Sequence, residues 1–165
     1  MFEFIILEAA QAGLSWRTVL KKRPGYRLHY KNFDVQVVAK FNSAQLETML
    51  LDPAIVRNKL KVHSSVKNAK VFIEIQQEFG TFAKYLWAFV GNKPLQGNLA
   101  SYTQAPVETE VSRALSKDLK KRGMSFVGPT IIYAYMQAVG LVNDHQVNCH
   151  CYARCRELAE SFSLE

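Results

Sequence analysis

The run Phe4-Ile5-Ile6-Leu7-Glu8-Ala9-Ala10-Gln11-Ala12-Gly13-Leu14-Ser15-Trp16 sets one carboxylate in an apolar stretch. At helical spacing Glu8 has Phe4 and Ile5 one turn before it and Gln11 and Ala12 one turn after, so its face is not a solvent stripe. Burying an unpaired carboxylate costs on the order of several kcal/mol or raises its pKa, so such a glutamate has either a partner or a task. The pattern fits a ligand-binding or catalytic acid, and equally a glutamate at the edge of a core helix or bonded to a backbone donor. Trp16, two turns on, offers an aromatic face that attracts a cation, or a ring for the core. Gly13 and Leu14 between them read as a turn from one helix to the next.

A second chemical cluster lies near the C-terminus. His145 and Cys149 are four residues apart, the spacing that aligns two ligands on one helical face towards a tetrahedral zinc, and the spacing of two buried structural residues as well. Cys151, Cys155 and His150 are close enough in sequence to complete a site. All three cysteines fall within seven positions, a poor layout for a disulfide framework and a suitable one for free thiols or metal in a reducing compartment.

Between these clusters, TEVSRALSKDLKKR at 109–122 has Val111, Ala114, Leu115 and Leu119 at helical spacing, and Gly123 stops it. After a short turn, Ile131, Ala134, Tyr135 and Ala138 resume a helical stripe. Gly128 before Pro129 starts that second helix without a bulky cap, leaving N–H groups and the helix dipole open to an anion. Thr130 can add a hydroxyl, and Lys117, Lys120, Lys121 and Arg122 arrive on the preceding helix; an ordinary helical hairpin with a glycine turn has the same pattern.

The elements that must position these groups are helical nearly throughout. One helix is expected to begin with Phe4, Ile5, Leu7 and Glu8 and a second to continue with Trp16, Val19 and Leu20 after Gly13, then further ones over Val35–Phe41, Ala44–Leu51, Ala54–Phe79 with a break, and Phe82–Val90. Residues 92–106 read as an irregular connection, and alternating β-branched strands are absent. Met1 and Phe2 enter an apolar helix with no Ser, Thr, Asp or Asn before it, so either the helix frays or its start lies upstream. The chain has 165 residues, 48% hydrophobic and 21% charged, the composition of one soluble folded unit. No secretory leader or membrane-length apolar run is present, which points to the cytoplasm. Twenty-one Lys and Arg against 14 Asp and Glu leave a net charge of +7, which favours a nucleic-acid partner without requiring one.

Several long motifs then occur in order: LEAAQAGLSWRTVLKKR at 7–23, FVGPTIIYAYMQAVGLVNDH at 126–145 and the following QVNCHCY. Together with FDVQVVAKF, ALSKDLKKRG and the match at 55–61 they resemble the 3-methyladenine DNA glycosylase I family, from residue 2 to about residue 152. The resemblance implies an all-α, helix-hairpin-helix DNA glycosylase-like helical bundle, a single domain over 1–165 with the helix-hairpin-helix element at 111–139. It implies a monomeric base-excision repair enzyme that flips 3-methyladenine out of alkylated double-stranded DNA and hydrolyses its N-glycosidic bond. By the same resemblance Glu8 is catalytic and hydrogen-bonds the flipped base, Trp16 stacks on it, and Gly13 and Leu14 fill the gap it leaves. Lys120, Gly128 and Thr130 are then the phosphate contacts, and Asp144 stands where the superfamily places an acidic segment near the scissile sugar, which by analogy would make it a catalytic carboxylate.

His145 and Cys149 correspond to two ligands of the family's structural zinc. Its other ligands lie in an N-terminal segment that this sequence does not contain, so the expectation is an incomplete zinc site in an N-terminally truncated chain. That segment also carries pocket aromatics, which leaves a catalytically impaired DNA-binding remnant as the alternative function. Ala9, where the family usually has Gly, and Pro53-Ala54, where it has Ala-Gly or a similar pair, depart from the pattern.

Overall fold

Helix α1 (Phe2–Gln11) runs through the middle of the core, with Phe2, Ile5, Ile6, Leu7, Ala9 and Ala10 all buried. The computed structural model describes residues 1–164; Glu165, the end of the expected 1–165 unit, lies outside the described residues. Around α1 pack α2 (Trp16–His29), α5 (Lys59–Phe79) and α8 (Pro129–Ala138). As the sequence predicts, Met1 provides no side-chain cap to α1. Its apolar surface, buried on nearly every side, is what holds it.

The helices between α2 and α5 are shorter than their periodicity suggests. α3 spans only Val35–Val38, where the Asp34 carboxylate accepts from the N–H groups of Gln36 and Val37, and α4 spans Ser43–Met49 behind a reciprocal Asn42–Gln45 capping box. The helix expected over Ala54–Phe79 starts instead at Lys59, capped by Asn58, and then runs unbroken to Phe79. Residues 54–58 stay non-helical because Asp52 bonds the Ala54 N–H and Pro53 supplies no donor. Gly25, inside α2, sits where an added Cβ would meet the Ala54 carbonyl oxygen at 2.4 Å, so the α2 backbone and the 54–58 turn touch directly.

α6 (Phe82–Ala88) folds back so that Phe82 stacks on Phe72 of α5 with ring centroids 3.9 Å apart. Contrary to the expectation of no strands, Leu95–Gln96 (β1) pairs in parallel with Val142–Asn143 (β2), Leu95 opposite Val142. The pairing ties the irregular 92–106 connection to the segment after α8. Helix α7 (Glu110–Arg122), capped by Thr109 and ended by left-handed Gly123 at φ 108°, packs against α8. A last helix not anticipated from sequence, α9 (Tyr152–Glu160), has no buried residue.

Candidate active site

Glu8 faces a cavity of about 460 Å³ lined by Phe4, Glu8, Gln11, Trp16, Ala134, Gln137 and Ala138, so α1, α8 and the first turn of α2 form its walls. The side chain is only 5% exposed, and among the described residues no protein donor bonds its carboxylate. Burial alone pushes its pKa from the ordinary 4.5 up to about 7, since no nearby cation or hydrogen bond offsets the loss of water. The sequence left open a backbone-bonded or edge glutamate; the geometry gives a buried acid opening onto a cavity.

Trp16 reaches this cavity because of the turn before it. Ser15 caps α2 by accepting from the Thr18 N–H at 3.2 Å, which makes Trp16 the first helical residue. Between the helices Gly13 takes φ +75°, with nothing within 4 Å of the Cβ position. Two bonds shape the turn: the Leu14 N–H donates to the Gln11 carbonyl and the Gln11 amide nitrogen donates to the Leu14 carbonyl, both at 2.7 Å. Leu14 stands at the apex, 39% exposed despite its apolar side chain.

Sequence reasoning missed the residue that braces this turn. The Lys61 ammonium, on α5, donates to the Ala10 carbonyl at 2.9 Å and to the Ala12 carbonyl, satisfying the open end of α1. A lysine 51 positions away gives no local signal of that role.

The α7–α8 hairpin is closed by a bond of its own and pinned to the core by α5. Ser116 donates to the Val127 carbonyl at 2.6 Å, and the fully buried Asn68 amide holds both the Ser125 carbonyl (2.9 Å) and the Ser125 N–H (2.8 Å). This clamp fixes the turn that leads into Gly128, the uncapped N-cap of α8, with Pro129 at the first helical position. Thr130 and Lys120 are exposed near it in sequence. Arg122, grouped with the hairpin lysines by sequence, is otherwise engaged: it bonds Glu78 and Asp118 and lies over the Phe79 and Tyr85 rings at 5.2 and 5.3 Å.

Asp144 is held as an acceptor. Its Oδ2 takes hydrogen bonds from the Tyr133 hydroxyl and, at 2.9 Å, from the Gln137 amide nitrogen. Further along, His145 Nδ1 lies 3.6 Å from Cys149 Sγ. The two meet across a turn in which the Cys149 N–H bonds the Gln146 carbonyl, not on a helical face as their spacing suggested. Cys149, His150 and Cys151 form a group able to hold a metal ion, their ligand atoms all within 4.8 Å of one another. His145, Asp144 and Cys155 border a larger cleft of about 520 Å³, which adjoins the Glu8 cavity at Gln137. No described helix is long and apolar enough to cross a membrane.

The sequence profile of the methyladenine glycosylase family matches residues 1–152. A protein named DNA-3-methyladenine glycosylase 1 from Escherichia coli is 44% identical over 152 residues, 92% of this chain and 81% of that one. DNA-3-methyladenine glycosylase from Haemophilus influenzae is 42% identical over 151 residues, covering 92% and 82% respectively. Among solved structures, 3-methyladenine DNA glycosylase I superposes with a TM-score of 0.89 at 44% identity, over 92% of this chain and 83% of its own. A variant of 3-methyladenine DNA glycosylase I in complex with 3-methyladenine gives 0.89 at 31% identity, over 92% and 81%.

Proposed function

The chain belongs to the methyladenine glycosylase family, and from that premise we propose that it excises 3-methyladenine from alkylated DNA by hydrolysing the N-glycosidic bond. The observation that carries this reading is the buried carboxylate of Glu8 without a protein partner, set with Trp16 around an apolar cavity. N3-alkylation fixes positive charge on adenine. The Trp16 ring attracts such a cation by roughly 1–2 kcal/mol when water is excluded, and Glu8 adds an opposite charge and a hydrogen bond. Since an alkylated adenine is already a good leaving group, extrusion, desolvation and positioning supply much of the acceleration, and water completes the hydrolysis without a lysine nucleophile.

The rest of the molecule serves that step. Leu14, apolar and exposed at its apex, takes the place of the extruded base in the stack, and Gly13 lets the turn reach it. Lys120, Gly128 and Thr130 hold backbone phosphates of double-stranded DNA without reading sequence, through the N-terminus of α8 and a lysine charge. Residues 1–165 act as one unit with 111–139 as its helix-hairpin-helix, monomeric and working in the cytoplasm. His145 and Cys149 suit a structural zinc: bonds of about 2.0 and 2.3 Å at a tetrahedral angle separate N and S ligands by about 3.5 Å, against the 3.6 Å found. Cys151 and His150 group with Cys149, their ligand atoms all within 4.8 Å of one another, and are the further donors at hand. Zinc there would brace the segment after β2 and has no part in the reaction.

Single-turnover excision with Glu8→Gln tests the assignment. The variant is expected to keep its affinity for duplex DNA and to lose release of methyladenine by at least about a hundredfold, the scale on which a charged transition-state contact acts. Undiminished release would remove Glu8 from the mechanism. Salt-sensitive duplex binding with no release by the unmodified chain would identify the impaired remnant.

A further inference from the structure

Gln137 lines both the Glu8 cavity and the cleft beside it, and its amide is oriented by a neighbour that leaves no choice. An ionised carboxylate only accepts hydrogen bonds, so the atom of Gln137 lying 2.9 Å from Asp144 Oδ2 is the amide nitrogen. The amide carbonyl oxygen is left without a protein partner among the described residues, on an exposed side chain where the two cavities meet. Asp144 is itself fixed by the Tyr133 hydroxyl and by contact with Gly97, where an added Cβ would lie 2.2 Å from Oδ1. Gln11, also lining the cavity, is bound likewise: its amide nitrogen donates to the Leu14 carbonyl, which can only accept, and its side-chain carbonyl has no partner among the described residues.

We propose that Gln137 is a specificity-determining residue whose carbonyl, aimed by Asp144, reads the exocyclic amino group at C6 of the extruded purine. The inference rests on the proposed function and deepens it. An amino group brings two donors and, once a base covers the cavity, needs an acceptor for each; Glu8 supplies one and Gln137 the other. A purine with a carbonyl at C6 sets oxygen against oxygen, leaving both unsatisfied. Asp144 is a positioning residue in this account, not the acid that its place in the superfamily pattern suggested.

The test is competition by free 3-methyladenine and free 3-methylguanine, measured on the full chain, its Gln137→Met variant and its Asp144→Asn variant. Met removes the acceptor while keeping length; Asn can donate as well as accept, so Gln137 is no longer held in one orientation. The unmodified chain is expected to prefer 3-methyladenine, and both variants to narrow that preference about tenfold, as expected where a hydrogen-bonding site meets the wrong edge. Affinity for a duplex carrying an abasic site should stay within about twofold, which a general loss of structure would not allow. Were both variants to keep the unmodified preference in an otherwise active enzyme, the role of Gln137 alone would fall. Failure of the unmodified chain to take up either base would overturn the proposed function along with it.

Discussion

At neutral pH Glu8 is poised, because burial has moved its pKa to about 7 and nothing in the protein pulls it back. Holding its proton more tightly folded than unfolded, it leaves the fold most stable below the ordinary value of 4.5 and lowers stability as pH rises towards 7. Above that, the ionised form costs roughly 3 kcal/mol relative to an unshifted glutamate. Urea denaturation across pH 4 to 8 should therefore show stability falling through this window, and Glu8→Gln should flatten the slope; an unchanged slope would place the titration elsewhere. A cationic base in the cavity reverses the balance by favouring the ionised carboxylate, so ligand and proton compete. Glu8 and Trp16 were legible in the sequence because both belong to one short segment whose apolar pattern makes a carboxylate conspicuous. Gln137, Gln11 and Lys61 were not, since their roles follow from which atom faces a partner, and in the case of Lys61 that partner lies 51 positions away.

The turn between α1 and α2 is held by few contacts for the work assigned to it: Ser15 caps one side, Gln11 closes the other, and Lys61 ties the carbonyls at the end of α1. Lys61→Met should cost about 1–2 kcal/mol of stability, the scale of a charge-assisted bond to helix-terminal carbonyls. Its effect on catalysis should be selective. Excision from duplex DNA, which needs the Leu14 apex in place, should fall about tenfold while binding of free 3-methyladenine changes little; an equal loss in both would make Lys61 a general stabiliser only. Helix existence was readable throughout from apolar periodicity, but ends were not. α3 stops at Val38 although the apolar pattern continues to Phe41, and α5 waits for the Asn58 cap because Asp52 and Pro53 hold the preceding turn. The β1–β2 pair was invisible because two residues on each side are too few to alternate. His145 and Cys149 do approach each other, at 3.6 Å, but across a turn where a helix was expected.

Over the whole molecule the net charge of +7 favours a polyanion, and the last turn of α7 carries Lys120 and Lys121 a few residues before the uncapped start of α8. Affinity for undamaged duplex should fall steeply with salt, and Lys120→Ala should reduce the slope of log affinity against log salt by about one unit, uniformly across sequences. Binding independent of salt would contradict the hairpin as a phosphate site. The chain covers 81% of the length of its Escherichia coli relative, and the cavity described has its walls in α1, α2 and α8. Whether those walls suffice for the reaction is the central question, and chromatography of the small molecules released from N-methylated duplex DNA answers it most directly. Incubation with the purified, folded, zinc-replete chain should liberate free 3-methyladenine and leave abasic sites, with Glu8→Gln releasing little. A folded chain that binds the alkylated duplex and liberates no methyladenine would contradict the account.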